Sequence, residues 1–254
     1  MDFYERLAPW YHLIYPDWEA SVAHQGEVLD RLLFEALGRR GTLLDAACGV
    51  GTQALGLAGR GWQVTASDLA AGAVERLRSE AAARDLEIDT SVADLRRVAD
   101  HHGRRFDAVI ACDNALPHLL TDDDLLAALR QLHAATEPGG LCVLSVRDYD
   151  ALRTTGQLDG PTIHPRAVHV ADATRRSVFQ VWEPTNHPDG RLTYTLTMYL
   201  VEDSGGPQPT THAVRSEYHA VGIDRLLVLM EEAGFRECRR IDEVFFQPLL
   251  TGRA

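Results

Sequence analysis

Apolar residues near the start of the chain recur at the spacing of a helix. Residues 17–37 begin with an acidic residue that is suited to cap a helix. One face of this predicted helix carries Val22, Val28, Leu29, Leu32 and Leu33. A short apolar run follows at residues 42–47, then a glycine-containing loop, then a helical pattern over residues 52–58. A strand, a glycine turn and a helix form the opening unit of a doubly wound α/β sheet.

The same alternation of short apolar runs and helical stretches continues through the first 150 residues. The predicted strands are 63–66, 87–92, 106–112 and 141–146, and the predicted helices are 70–84 and 122–135. Strands that alternate with helices in this way pair in parallel through right-handed crossovers.

After Arg147 the pattern changes to that of antiparallel strands. Residues 177–183 and 192–200 alternate around a turn that contains Asn, Pro, Asp and Gly, which predicts a hairpin. Residues 211–219 are a candidate third strand. This insertion is interpreted either as a lid over the site or as a sheet extension or oligomer contact. A helix over 223–233 and an apolar strand over 244–246 are expected to end the chain.

Composition narrows the class of protein. With 254 residues, 45% of them hydrophobic, the chain can bury one sizeable core, so one domain with an insertion is expected. A net charge of -12 and no long basic run argue against nucleic acid as a partner. No stretch of about 20 apolar residues and no apolar leader segment are present, so we expect a cytoplasmic protein without membrane contact. Four widely spaced cysteines suggest neither a metal site nor disulfides: Cys48, Cys112, Cys142 and Cys238.

The loop after the first strand has the composition of a cofactor site. Gly49 and Gly51 let a backbone turn sharply and approach a ligand, and Asp68 follows the second strand at the distance suited to ribose hydroxyls. Asp94 follows the third strand and could accept the adenine amino group. A nicotinamide-dependent enzyme would use a similar loop with three glycines, and Ala54 stands here at the position of the third glycine. Asp45, at the end of the first strand, argues against the nicotinamide alternative. An Asp-x-x-x-Gly-x-Gly loop, followed by aspartates after the second and third strands, resembles motif I of class I methyltransferases.

Two further segments resemble one branch of that family. Phe-Asp-Ala-Val-Ile-Ala-Cys-Asp-Asn-Ala-Leu-Pro-His-Leu, residues 106–119, is similar to the fourth-strand segment of glycine N-methyltransferases. Pro-Gly-Gly-Leu-Cys-Val-Leu-Ser-Val-Arg-Asp-Tyr-Asp, residues 138–150, resembles that family's fifth strand and arginine loop, and Arg-Ser-Glu-Tyr-His the segment before its last long helix. The resemblance implies S-adenosylmethionine as cofactor and a small metabolite, methylated at its amine nitrogen, as substrate.

The resemblance also implies a fold and a set of site residues. The implied fold is a Rossmann-like, doubly wound, mostly parallel seven-stranded sheet with an antiparallel insertion after strand five. Its expected parts are a helical lid segment (1–40), the cofactor-binding core (41–150), a substrate-side insertion (151–220) and the last helix and strands (221–254). The expected cofactor residues are Asp45, Gly49, Gly51, Asp68, Asp94, Leu95 and Cys112. The expected substrate residues are Asp113, Asn114, Arg147 and Tyr218, and the expected catalytic residues are Tyr4, Tyr15 and His118.

The sequence departs from the family pattern at three positions. Asp113 stands where the family commonly has Gly, Leu116 replaces an aromatic residue, and Ala23 replaces an arginine that holds the cofactor carboxylate in some relatives, which leaves Gln25 as a candidate partner. The first two changes weaken the case for glycine as substrate. The alternatives are an O- or C-methyltransferase of natural-product assembly, a binding protein without turnover, and a nicotinamide oxidoreductase. A homo-oligomer is compatible with the sequence, and no metal site is expected.

Overall fold

The computed structural model describes residues 2–254, which form two sheets and eight α-helices. The helices are α1 (Asp2–Leu7), α2 (Trp18–Leu37), α3 (Thr52–Ala58), α4 (Ala71–Ala83), α5 (Val98–His102), α6 (Asp122–Ala135), α7 (Tyr149–Thr154) and α8 (Ile223–Glu232). The first seven strands are β1 (Thr42–Asp45), β2 (Gln63–Asp68), β3 (Asp89–Val92), β4 (Phe106–Ala111), β5 (Thr136–Ser145), β6 (Thr162–Ala171) and β7 (Thr174–Asn186). The last four are β8 (Leu192–Asp203), β9 (Thr210–His219), β10 (Arg236–Ile241) and β11 (Leu249–Arg253).

The larger sheet has seven strands in the order β10-β11-β5-β4-β1-β2-β3. Strands β1 to β5 pair in parallel, whereas β11 pairs antiparallel with both β5 and β10. The strand order reverses beside β1, between β2 and β4, and ligands of open α/β sheets bind outside the carboxyl ends of the strands at such a reversal. The predicted mostly parallel seven-stranded sheet is confirmed.

The helix before β1 is held close to the sheet by a glycine contact. Asp17 caps α2 by accepting a hydrogen bond from the Ala20 backbone N–H at 2.9 Å. Further along α2, a Cβ atom added at Gly26 would lie 2.6 Å from the backbone of Gly56 in α3. Only glycine permits this approach, which brings α2 against the helix that follows the glycine loop.

The smaller sheet is antiparallel, with the order β6-β7-β8-β9. The expected hairpin is confirmed as β7 and β8, and the candidate third strand as β9. Sequence reasoning missed β6, whose alternation is broken by Pro165 and by a register shift between Pro165 and Ala167. Proline is tolerated there because β6 is an edge strand.

The strand expected over residues 244–246 is wrong. These residues lie in the loop between β10 and β11, where Phe245 is buried while Val244 and Phe246 are about half exposed. This apolar run therefore anchors a loop through the buried side chain of Phe245, and strands β10 and β11 lie before and after it.

The N-terminal segment packs between the two sheets. Phe3, Leu7 and Ile14 belong to the same apolar cluster as Val178 and Met198 of the antiparallel sheet. Tyr11 and Tyr15 of the same segment hydrogen-bond to Asp113, which follows β4, so the segment also reaches the carboxyl end of a parallel strand. Within residues 2–254, no helix is long and apolar enough to cross a membrane.

Candidate active site

The loop between β1 and α3 leaves open space above its first glycine. Gly49 has φ +52°, and a Cβ atom added there would meet no atom within 4 Å. Gly51 has φ +95°, and a Cβ atom added there would collide with the Leu77 side chain. Gly51 is thus required by packing, whereas Gly49 presents bare backbone to an open space, as close approach of a ligand demands.

Asp45 lies at the carboxyl end of β1 with no partner for its side chain. It is 1% exposed, and neither carboxylate oxygen accepts a hydrogen bond from residues 2–254. Burial raises its pKa to about 7, and the nearby backbone amides of Ala47 and Ala54 offset this only in part. A buried carboxylate without a donor is costly unless a ligand supplies one, and an ammonium group would do so.

The carboxylates after β2 and β3 already hold protein donors. Asp68 accepts hydrogen bonds from the backbone N–H groups of Gly49 and Ala70, each at 2.9 Å, so it fixes the glycine loop. Burial raises the pKa of Asp68 despite these bonds. Asp94 is paired with Arg96, whose side-chain hydrogen bonds lower the pKa of the Asp94 carboxyl. Contacts of either carboxylate with a cofactor stay predictions.

A cavity of about 520 Å³ opens beside this loop and reaches the carboxyl ends of β1, β2, β3 and β4. Of the expected site residues, those that line it are Tyr4, Gly49, Asp68, Asp94, Leu95, Cys112, Asp113 and His118. Those that do not line it are Asp45, Gly51, Tyr15, Asn114, Arg147 and Tyr218. The cavity thus extends from the predicted cofactor loop to part of the predicted acceptor site.

The turn after β4 is strained and firmly held. Asp113 and Asn114 have φ +54° and +65°, a left-handed conformation that Asp and Asn tolerate better than most residues. The Ser145 hydroxyl accepts a hydrogen bond from the Asp113 N–H at 2.7 Å, and the Ser145 carbonyl accepts one from the Asn114 N–H at 2.9 Å. Backbone held in this way fixes the direction of the Asp113 side chain.

Two tyrosines of the N-terminal segment bind the Asp113 carboxylate. Tyr11 and Tyr15 donate to its Oδ2 atom at 2.9 and 3.0 Å. Burial, with Asp113 nearby, raises the pKa of both phenols, so they stay protonated and act as donors at neutral pH. Tyr11 was missed by sequence reasoning, although its spacing of four residues from Tyr15 could have indicated it.

Asn114 and Arg147 belong to a buried hydrogen-bond network. The Asn114 amide donates to the Tyr149 hydroxyl at 2.8 Å and accepts from the Arg147 backbone N–H at 3.0 Å. The guanidinium of Arg147 donates to the Tyr194 hydroxyl at 3.0 Å, and the two tyrosine hydroxyls are also 3.0 Å apart. Asn114 is fully buried, so in this structure it holds the Arg147 backbone.

Arg147 is a half-buried cation without a counter-ion. It forms no ion pair with a carboxylate among residues 2–254, and its guanidinium lies 5.2 Å from the Trp182 ring centre and 5.6 Å from that of Tyr218. The Tyr218 ring in turn lies 4.1 Å from the ring of His118, which lines the cavity. Arg147 is therefore placed directly behind the cavity wall.

His118 is neutral at physiological pH. Burial and, to a smaller extent, the charge of Arg147 lower its pKa to about 3. Its Nε2 atom lies 2.9 Å from the Tyr4 hydroxyl and its Nδ1 atom 3.1 Å from the Ser216 hydroxyl. Burial raises the pKa of Tyr4, so its hydroxyl stays protonated at neutral pH, and the tautomer of the neutral His118 ring sets which partner donates in each of these two hydrogen bonds.

The three departures from the family pattern lie in different surroundings. Asp113 lines the cavity, whereas Leu116 is fully buried in the core behind it. Ala23 is exposed. Gln25 is buried and accepts a hydrogen bond at 2.7 Å from Gln53, a residue of the cavity wall. Asp113 is thus the change that alters the site directly.

Comparison with known proteins identifies the core. Residues 43–140 match the family model of the methyltransferase domain. These residues therefore form a methyltransferase domain. This finding confirms the resemblance seen in the sequence and does not favour the nicotinamide alternative.

Individual relatives agree with this family. The chain is 35% identical over 156 residues to a glycine/sarcosine N-methyltransferase of Parasynechococcus marenigrum (strain WH8102), a match that covers 61% of this chain and 52% of the relative. The chain thus spans about half the length of that relative. Its fold is similar to the CcbJ methyltransferase from Streptomyces caelestis, with a TM-score of 0.74, 19% identity and coverage of 99% and 98%. It is also similar to S-adenosylmethionine-bound CalS10, an amino pentose methyltransferase from Micromonospora echinaspora, with a TM-score of 0.72, 16% identity and coverage of 92% and 91%.

Proposed function

We propose that this protein transfers a methyl group from S-adenosylmethionine to the amine nitrogen of a small metabolite. The observation that carries the proposal is the combination of the buried Asp45 carboxylate, which has no partner among residues 2–254, with the bare backbone of Gly49, which lines the cavity four residues further along the chain. A ligand suits these two residues if it places an ammonium group at Asp45 and a polar chain against the Gly49 backbone.

The described residues fit the cofactor. Asp45 would hold its ammonium group, Gly49 would admit its methionine part, and Asp68 would accept hydrogen bonds from the ribose through lone pairs that the loop amides leave free. When bound, the cofactor supplies an electrophilic methyl group: the N–C bond forms, the S–C bond breaks, and its electron pair stays on sulfur. The protein's task is then to hold the amine in line and to exclude water.

The residues around the acceptor serve mainly to hold it in position, and His118 does not act as a base there. A neutral amine is needed, because an ammonium has no lone pair, and burial beside a positive charge lowers an amine's pKa. His118, with a pKa of about 3, is a weak base, so its contribution is to orient Tyr4 and Ser216. Tyr4, Tyr11 and Tyr15 are positioned to close the cavity from the N-terminal side.

The acceptor class is supported by one charged residue, Arg147, and by two similar proteins. Arg147 has no carboxylate partner among residues 2–254, and its guanidinium, which lies behind the cavity wall and donates once to Tyr194, keeps further donors for a carboxylate of the acceptor. The similar glycine/sarcosine N-methyltransferase and amino pentose methyltransferase both act, by their names, on small amine-bearing molecules. We therefore place amino acids and other small amines first among the acceptors.

The test is an assay with S-adenosylmethionine that carries a labelled methyl group. The protein is incubated with amino acids, amino sugars and simple amines, and the product is analysed by mass spectrometry. We expect label on an amine nitrogen of at least one acceptor. Label found only on oxygen or carbon would refute N-methylation, and no saturable cofactor binding would refute the methyltransferase proposal itself.

A further inference from the structure

Asp113 lines the cavity and has one carboxylate oxygen that no described residue uses. Asp113 binds Tyr11 and Tyr15 through Oδ2 alone, and Oδ1 accepts no hydrogen bond from residues 2–254. This oxygen is not one of the buried atoms that lack a partner, so it is accessible, and Asp113 lines the cavity. The free oxygen therefore faces the space in which an acceptor would lie.

The other carboxylates of the wall are engaged or stand at the surface. Asp94 and Asp124 both pair with Arg96, and Asp68 accepts two backbone N–H groups. Glu217 is exposed. Asp113 is thus the carboxylate of this wall that is left to meet a ligand away from the glycine loop.

The wall as a whole favours positive charge. Five carboxylates line the cavity, and the single arginine among the lining residues, Arg96, is paired with two of them. Negative charge around a partly enclosed cavity attracts cations and repels anions.

We infer that Asp113 is the counter-ion that selects an acceptor with a cationic amine, an inference that rests on the proposed function. The acceptor binds as an ammonium ion, with an N–H group donated to Asp113 Oδ1, and it gives up one proton, to this carboxylate or to water, before its neutral nitrogen attacks the methyl group. An alcohol of the same shape would donate a hydrogen bond to the carboxylate but would lack the attraction between two opposite charges. The strained backbone of Asp113 and the two tyrosines fix the carboxylate, so it need not reorganise when the ligand arrives.

The same contact connects acceptor selection to the N-terminal segment. Tyr11 and Tyr15 reach Asp113 from residues that precede α2, and both need a carboxylate or another acceptor there. Asp113 is therefore a specificity-determining residue that two tyrosines of the N-terminal segment hold in place.

The test uses ligands that differ in charge at the position of the transferred methyl group. Sinefungin carries an amine there, whereas S-adenosylhomocysteine is neutral at its sulfur. Binding of each is measured by calorimetry to the wild-type protein, to Asp113→Asn and to Asp113→Gly. Asparagine keeps the shape and tolerates the left-handed backbone, and glycine relieves the strain, so at least one variant is expected to fold. Asp123→Asn, an exposed change of the same chemistry outside the cavity wall, is the control.

We expect both Asp113 variants to lower the preference for sinefungin over S-adenosylhomocysteine by about tenfold, while the control changes it less than twofold. An unchanged preference in folded Asp113 variants would overturn the inference and leave the methyltransferase proposal standing. Failure of the wild-type protein to bind either ligand would overturn both.

Discussion

Cofactor binding should be linked to the protonation of Asp45. The pKa of this carboxyl is about 7 in the unliganded protein, because it is buried without a donor. An ammonium group placed beside it favours the ionised form, so binding should lower the pKa and release a proton. Affinity should therefore rise with pH as the pH passes upward through about 7.

The size of the effect follows from the ionised fraction. At pH 6 about one Asp45 side chain in eleven is ionised, and at pH 7 about one in two. If only the ionised form binds well, the Kd for S-adenosylmethionine should fall about fivefold between these pH values, with about 0.9 proton released per ligand at pH 6 and about 0.5 at pH 7.

Calorimetry in buffers of different ionisation enthalpy measures both quantities. Asp45→Asn is the matched variant, since it keeps the shape, and its weaker binding should lose most of the dependence on pH. Asp68 lies close to Asp45 and is unchanged in the variant, so any pH dependence that Asp68 contributes persists. Equal pH dependence in wild-type and Asn proteins would refute the role of Asp45.

The same carboxyl affects folding with a definite sign. Its folded-state pKa is raised above the unfolded value, so its contribution to stability is fully present below about pH 4 and is lost as the pH rises through about 7. Above pH 7, Asp45→Asn should therefore raise the melting temperature of the unliganded protein relative to wild type. A lower melting temperature of the variant at pH 8 would contradict the unpartnered state of Asp45.

Three further outcomes are expected. Gly49→Val should abolish binding of S-adenosylmethionine in calorimetry, because a branched side chain enters the open space above the loop; unchanged affinity would remove the loop from the site. Arg147→Ala should raise the KM of a carboxylate-bearing acceptor at least tenfold with little effect on the cofactor Kd, and an equal loss of both would place the arginine elsewhere. His118 should show no titration between pH 5 and 9 in NMR spectra of its ring, since its pKa is about 3; a midpoint near 6.5 would contradict its burial.

The parallel sheet was predictable because its pattern is local. Buried strands such as β1 and β4 are short apolar runs, each followed by a loop and a helix, and the glycine loop is contiguous in the sequence. Strand β6 was not predictable, because half of an edge strand faces solvent and Pro165 interrupts its alternation. The run at 244–246 misled for the opposite reason: Phe245 anchors a loop, which apolarity alone does not reveal.

The sequence suggested candidate site residues, but it did not predict the contacts that hold them. Asn114 and Arg147 were both predicted as substrate residues, and the structure joins them by a hydrogen bond from the Arg147 backbone N–H to the Asn114 side chain. The residues that hold them, Tyr149 and Tyr194, come from a helix and a strand that lie far apart in the chain. The partners of Asp113 likewise lie about 100 positions away, at Tyr11 and Tyr15. Long-range hydrogen bonds of this kind leave no periodic signal in a single sequence.

The most direct measurement is calorimetric titration of the folded protein with S-adenosylmethionine, with NAD titrated in parallel. We expect saturable one-to-one binding of S-adenosylmethionine, competition by S-adenosylhomocysteine and no binding of NAD. Saturable binding of NAD, or no binding of S-adenosylmethionine by protein shown to be folded, would contradict the assignment of the loop around Gly49 as a sulfonium-cofactor site.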